Sequence, residues 1–279
     1  RGLVGSEMCI RDRMSTHAQY PTDLTDRQWH LLHPLLPTPR WQPGGRGRRP
    51  RPLRRVLNGI LYVTKTGCQW RQLPPSFGRW STIYGYFNRW ARQGVWQQIH
   101  TVLIHRERQR QGRPPTSSAG CIDSQSIKMA HQRGPKGFDA GKQVHGRKRH
   151  CLVDTLGLII GLLVTPANTP DPAGLKALLT TYFSTGVQRL RKVWVDGGYR
   201  GDDLKAWVAQ LKQTHKIDLE VVKKKGTGFT VLPHRWVVER TFAWLLNYRR
   251  HSKDYEVLTR NSEAFIQVAM IQLLVKRLV

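Results

Sequence analysis

Apolar residues recur at helical spacing along the first third of the chain, and in shorter runs bounded by turn residues along the rest. Leu53, Val56, Leu57, Ile60 and Leu61 stand at i, i+3, i+4, i+7 and i+8, which predicts a helix from Leu53 to Lys65 stopped by Gly67. Ile83, Tyr84, Phe87, Trp90 and Ala91 form a second stripe that starts after Ser81 and ends at Gly94. Val95, Trp96, Ile99, Val102 and Leu103 form a third. Ahead of these, Thr25 and Gln28 have capping-box spacing, Leu24 and Trp29 suit a hydrophobic staple, and Pro34 and Pro37 close a short first helix. Four short helices with tight glycine-containing joints predict an all-α, helix-turn-helix-like region over residues 14–104.

The pattern then changes. A polar, Pro-Pro-containing stretch over 105–118 reads as a linker. Beyond it come short strands at Ala119–Asp123, Arg149–Asp154 and Leu158–Thr165, with a turn at Thr155–Gly157. A helix over Asp171–Phe183 follows, then a strand over Arg191–Asp196, a helix over Asp202–Thr214 and a strand over Asp218–Val222. Helices over Pro233–Arg250 and Phe265–Leu278 complete the series. This order predicts a mixed α/β sheet domain over 119–279. Arg1–Arg13 has neither periodicity nor a cap, and is expected to be a non-native extension with Met14 as the start.

Charge narrows the function. Lys and Arg number 46 against 18 Asp and Glu, a formal net charge of +28, which calls for a polyanionic partner. Nucleic acid comes first and an anionic membrane surface a distant second. Hydrophobic residues at 39%, ten of them Trp, argue against a wholly disordered basic tail. No run of 18 apolar residues exists, so no membrane span is expected. Cys9, Cys68, Cys121 and Cys151 lack metal-ligand spacing and read as free thiols of a reducing compartment, the cytoplasm.

The basic residues are unevenly spread. Between Arg40 and Arg55 stand seven arginines and no acid, interleaved with Gly and Pro. Arg46, Arg48, Arg49 and Arg51 therefore read as a phosphate or minor-groove arm rather than a solvated loop. Arg89 and Arg92 lie opposite the apolar stripe of their helix, which suits groove contacts and a solvated face equally. From Lys128 to His150 the chain carries Lys128, Arg133, Lys136, Lys142, Arg147, Lys148 and Arg149 against one acid, Asp139. That run reads as a DNA-backbone track, with Lys223–Lys225 a weaker copy. His105, His131, His145 and His150 have no ligand spacing and receive no catalytic role.

Scarce acids make their positions informative. Asp123 ends the first expected strand and Asp196 the fourth, where open α/β sheets build their sites. Glu239 lies among Trp236, Val237, Val238, Phe242 and Trp244, so it needs a partner. Arg235 is one helical turn back and Arg250 eleven residues ahead, near the same face. Converging carboxylates with open positions would hold Mg²⁺ or Mn²⁺, two ions per site, for in-line phosphoryl transfer. On spacing alone, three unrelated acids serving as a cap, a turn and an arginine partner account for the pattern better than a metal site. Asp154 and Asp171 are rival acids, read as a turn residue and a helix-start residue.

Ordered blocks shift that balance. LTDRQW, RRVLNGILYV, TGCQWRQLP, STIYGYFNRW, IDSQSIK, GRKRHCLVDTLGL, VTPANTPD, WVDGGYRG and WVVERTFAWLLNYRRHSKDYE run in sequence between Leu24 and Leu278. Together they resemble bacterial insertion-sequence transposases of the Asp-Asp-Glu class, the large insertion-sequence family five with an N-terminal insertion-element DNA-binding domain. The resemblance implies a ribonuclease-H-like catalytic fold, with Asp123, Asp196 and Glu239 as the metal-binding acids. It implies double-stranded DNA partners, the element's terminal inverted repeats and a target, and at least a homodimer to pair two ends. In the family's tyrosine-arginine-glutamate-lysine signature, Arg235 and Glu239 are kept, Arg235 as an expected DNA contact, while Leu232 and Leu246 stand in the outer places. Arg249 or Arg250 would then supply the DNA-end contact of the lysine. The alternatives are a non-catalytic DNA binder of the same family, and a nuclease of the same fold that cleaves without joining.

Overall fold

The computed structural model describes residues 19–38, 50–130, 133–186, 189–222 and 235–279. Arg1–Arg13, Cys9, Met14, Arg46, Arg48, Arg49, His131, Lys223–Lys225, Leu232 and Pro233 lie outside the described residues, and so do the expectations placed on them.

Helices α1 (Asp26–Leu32), α2 (Leu53–Thr66), α3 (Trp80–Arg92) and α4 (Val95–Arg110) form the first region. The Thr25 hydroxyl accepts from the Gln28 N–H at 3.3 Å, and the Gln28 side chain accepts from the Thr25 N–H at 3.1 Å, so α1 starts with both halves of its box. Gly67 ends α2 at φ +70°, and a Cβ there would stand 3.0 Å from the Arg249 backbone, so any larger residue at this turn would be strained and crowded. The apolar stripes face inward: Val56, Leu57, Ile60 and Leu61 meet Ile83, Phe87, Trp90, Trp96, Ile99 and Leu103 in one cluster.

Two boundaries differ from expectation. Helix α4 runs on to Arg110, into the stretch that composition marks as a linker, and the reason is tertiary. Glu107 and Arg108 are buried, and Arg108 pairs with the buried Asp154 of the sheet, so this polar turn is an internal contact rather than a tether. The core of the helical region is also not its own. Helix α8 (Thr259–Leu278) supplies Ala264, Phe265, Val268, Ile271, Leu274 and Val275 to the same cluster, and the Phe265 ring lies 4.3 Å from that of Phe87.

The second region is a mixed sheet. Strand β1 (Ala119–Lys128) is antiparallel to β3 (Val144–Asp154) on one side. On its other side it is parallel to β5 (Lys192–Val195), which in turn is parallel to β6 (Asp218–Val221). The far edge of β3 takes the short β2 (Gly137–Asp139) at its start and β4 (Ile159–Pro166) along the rest. Setting β2 aside, the strands lie in the order β4-β3-β1-β5-β6. This is the ribonuclease-H-like arrangement: an antiparallel meander followed by two parallel strands on the other side of β1.

Helices cover both faces. Helices α5 (Asp171–Ser184) and α6 (Asp202–His215) bring Leu175, Leu178, Leu204 and Leu211 onto Ile122, Leu152, Val193 and Val195. Helix α7 (Trp236–Leu246) and α8 bring Val237, Val238, Phe242, Leu245, Ile266 and Met270 onto the opposite face, against Cys121, Cys151, Val153 and Val164. The expected single helix over Pro233–Arg250 is shorter than its periodicity suggests. It stops at Leu246, and Arg249–His251 form a separate 3₁₀ turn that packs against α2. Among the described residues, no helix is long and apolar enough to cross a membrane.

Candidate active site

Side chains alternate across a strand, so Ile122 on β1 and Val193 and Val195 on β5 point into the α5–α6 layer. Cys121, Asp123, Trp194 and Asp196 consequently face α7. Asp123 does not end its strand as expected. β1 continues to Lys128, but its pairing with β5 stops at Cys121, and residues 123–128 pair only with β3. The crevice therefore opens beside Asp123 rather than after it. Asp196 follows β5 directly, and a Cβ at Gly198 would crowd Asp196 Oδ1 at 3.0 Å, so a side chain there would push on this carboxylate.

Each aspartate has one oxygen fixed and one free for a cation. Asp123 Oδ1 accepts from the Ser124 N–H at 2.7 Å and Asp196 Oδ1 from the Gly198 N–H at 2.8 Å. Both Oδ2 atoms turn to one guanidinium nitrogen of Arg235, at 3.4 Å from Asp123 and 3.6 Å from Asp196. Arg235 is the residue immediately before α7, and Glu239 lies one turn further along that helix, exposed. Arg235 therefore serves the aspartates and not Glu239, correcting the expected pairing. Glu239 needs no counter-charge because it is solvated. Arg250, the other expected partner, is buried against Glu256 instead. Among the described residues no three His, Cys, Asp or Glu side chains are drawn close enough together to hold a metal ion.

The electrostatics agree with a shared acidic field. Burial pushes the Asp123 carboxyl above its ordinary value and Asp196 adds to this, against the Ser124 N–H, Arg235 and Lys142, which pull it down. The Cys121 thiol is pushed up to about 12, first by burial and then by Asp123, with Glu239 and Asp196 adding to it and Arg235 opposing. All three acids thus act on one buried thiol. Tyr199 was not singled out in the sequence. Its side chain is buried and its hydroxyl is pushed far up by burial and by Asp123, Asp171 and Asp196. Its signal was a lone aromatic in the GGYRG turn after Asp196.

The rival acids have structural roles. Asp154 Oδ1 accepts from the N–H groups of Leu156 and Leu158 at 2.9 and 2.8 Å, closing the β3–β4 turn. Asp171 opens α5, accepts from Ser124 Oγ at 2.8 Å and pairs with Lys148 at 3.1 Å.

The expected DNA contacts divide sharply. Arg147, Lys148, Arg149 and Arg250 are buried, which removes them from any phosphate track. Arg147 donates to Asp254 at 3.2 Å, Ser262 at 2.8 Å and the carbonyls of Pro135 and Val257 at 2.9 and 2.6 Å. Lys148 pairs with Asp139 and Asp171, and Arg149 reaches Gln125 and the His251 carbonyl. Arg250 binds Glu256 and the Cys68 carbonyl. These cations are spent on acids, amides and carbonyls inside the molecule, and the part of the basic run from Val144 onward is strand β3 rather than loop. Arg89, Arg92 and Arg249 are exposed and Arg51 is half-buried. Lys142, on the turn between β2 and β3, reaches the Ser124 carbonyl at 3.0 Å, close beside Asp123.

A family model described as "Transposase DDE domain" matches residues 114–274, more than half of the chain. The chain belongs to the DDE transposases. A second model, "Putative transposase of IS4/5 family (DUF4096)", matches residues 24–100 and so covers most of the helical region of this DDE transposase. The "Insertion element IS402 uncharacterized 16.2 kDa protein" of Burkholderia cepacia is 36% identical over 108 residues, 38% of this chain and 72% of the relative. The "Putative transposase for insertion sequence element IS402" of the same organism is 29% identical over 144 residues, 48% of this chain and 64% of the relative. "Uncharacterized protein y4sN" of Sinorhizobium fredii is 30% identical over 82 residues, 29% of this chain and 62% of the relative. The chain thus spans just under two thirds of the length of these last two. No solved structure matches the chain.

Proposed function

We propose that this chain is the transposase of an insertion sequence, which binds the element's terminal inverted repeats, hydrolyses one strand to free a 3′-hydroxyl and joins that hydroxyl to target DNA. The observation that carries the reading is the convergence of Asp123 and Asp196 from adjacent parallel strands, each with Oδ1 fixed by a backbone N–H and Oδ2 aimed at one cation. Family membership gives that pair its chemistry. The donor set suits Mg²⁺ or Mn²⁺: two hard carboxylate oxygens held in place, with Glu239 exposed on the helix beside them. When bound, two such ions would polarise the attacking oxygen and stabilise the leaving 3′ oxygen.

The protein's own part is positioning. Ser124 and Gly198 fix the carboxylates, and Glu239, exposed on α7 one turn beyond Arg235, is the third ligand. Lys142, beside Asp123, meets a phosphate of the bound end. Arg51, Arg89, Arg92 and Arg249 track the backbone together with the arm of Arg46, Arg48 and Arg49, and paired ends require at least two copies of the chain. The site of action is chromosomal DNA in the cytoplasm. The test is a strand-transfer assay on the flanking repeats with Asp123→Asn, Asp196→Asn and Glu239→Gln. Each variant is expected to lose both cleavage and joining while still binding the repeats. Strand transfer retained in any one, or full activity in a chelator, overturns the reading. Cleavage without joining by the unaltered chain makes it a nuclease instead.

A further inference from the structure

The arginines on and around this sheet are held in two ways. Arg147 uses its donors on Asp254, Ser262 and two carbonyls, with separations of 2.6–3.2 Å, and Arg108 binds both Asp154 and the Pro114 carbonyl. Such side chains are locked. Arg235 is held more loosely: its contacts to Asp123 and Asp196 are 3.4 and 3.6 Å long, and its buried Nε, like that of Arg149, finds no partner among the described residues. It is a full charge in a key place with few bonds to lose.

That place is the one between two carboxylates whose other oxygens are already fixed. From this we infer that Arg235 is a resident counter-ion, which keeps Asp123 and Asp196 together before a divalent ion arrives and which must be exchanged for that ion. The inference rests on the metal-site reading proposed above and adds competition to it. Coulomb attraction scales as charge over distance. A doubly charged ion at about 2.1 Å therefore attracts each carboxylate roughly three times as strongly as a guanidinium at 3.5 Å, before the ion's dehydration is counted. The ion therefore attracts the carboxylates more strongly than the arginine does, and the arginine weakens the ion's apparent affinity. Without the arginine, the two carboxylates would repel each other across the empty crevice. The device holds the site in shape and in check at once.

Mn²⁺ binding to the full chain, followed by electron paramagnetic resonance of the free ion and by calorimetry, tests this without any turnover. Arg235→Gln is expected to bind Mn²⁺ about tenfold more tightly, the effect of losing one charge-assisted contact of ordinary strength. Its metal-free form should melt at a lower temperature and gain more from added Mn²⁺. Arg235→Lys, which keeps the charge but spans two carboxylates less well, should fall between. It also carries the test if the glutamine variant does not fold. Affinity that is unchanged or weaker in both variants overturns the exchange. Asp196→Asn separates the two readings. If wild-type binding does not depend on Asp196, the metal site and the exchange fall together. If it does depend on Asp196 and the Arg235 variants bind no tighter, the exchange alone falls.

Discussion

Asp123 holds its proton more tightly in the folded chain than in an unfolded one, because burial outweighs Arg235 and the Ser124 N–H. A folded carboxyl above its unfolded value of 3.8 means that the folded state binds the extra proton. Stability from this group is therefore gained as pH falls through the raised value, with nothing further gained below the unfolded one. Asp123→Asn, which is neutral at every pH, should be at least as stable as the metal-free wild type at pH 7, and the gap should close as pH falls. Urea midpoints taken from neutral to acid pH check this; a variant less stable at pH 7 would mean that ion pairing wins over burial. Arg147 sits at the other extreme. Removing it strands Asp254 in the interior, so Arg147→Ala should cost about 3–5 kcal/mol in urea unfolding. Arg89→Ala, at an exposed position, should stay within about 0.5 kcal/mol. Sequence alone does not separate these two arginines, because the acid that answers Arg147 is Asp254, 107 residues further along the chain.

Elements with their own periodicity were readable from the sequence; those completed by distant parts of the molecule were not. The stripe of α2 and the box of α1 are local facts and fall where the pattern puts them. The second half of β1, Ser124–Lys128, looks like a loop because it is polar. It is a strand because β3 pairs with it and Asp139 and Asp171 satisfy its hydroxyls. Helix α8 starts six residues before the apolar run that announces it, since Asn261 and Ser262 are buried polar positions, Ser262 spending its hydroxyl on Asp254. In the candidate site Asp196 is legible as a strand-end acid, whereas Asp123 stands out in the sequence but lies within its strand, and helical spacing assigns Arg235 to the wrong carboxylate because it reports neighbours on one helix only. At this scale the critical contact is Phe265, lying against Phe87 and Trp70. Phe265→Ala should cost about 3–5 kcal/mol. The helical region and the sheet should still unfold in one transition, seen as coincident near- and far-ultraviolet circular dichroism melts. Two separate melts would show that the regions are energetically independent.

Across the whole molecule, the formal charge of +28 is misleading as a measure of DNA contact, since part of it is spent inside. Arg108, Arg147, Lys148, Arg149 and Arg250 are buried among carboxylates and carbonyls, so the salt dependence of DNA binding should report far fewer contacts than the net charge suggests. Each phosphate contact adds about 0.9 to the slope of log affinity against log salt. Replacing Arg46, Arg48, Arg49 and Arg51 by Ala should therefore lower the slope by up to about four contacts' worth, whereas Arg149→Met should leave it unchanged. An unaltered slope in the arm variant, measured by fluorescence anisotropy on repeat DNA, would remove the arm from the interface.

The seat of α8 in the helical core also sets a clock on the newborn chain. Helices α1 to α4 leave the ribosome early, yet Phe87 and Trp96 have no lid until a helix beginning at Thr259 follows them out. At typical synthesis rates the roughly 150 residues between Arg110 and Thr259 take about 10–30 s to make. Throughout that interval the region assigned to DNA binding is unfinished while its message is still being read. Helix α8 thus decides when the first four helices become competent, and a ribosome that stops short of it releases a chain whose helical region stays open.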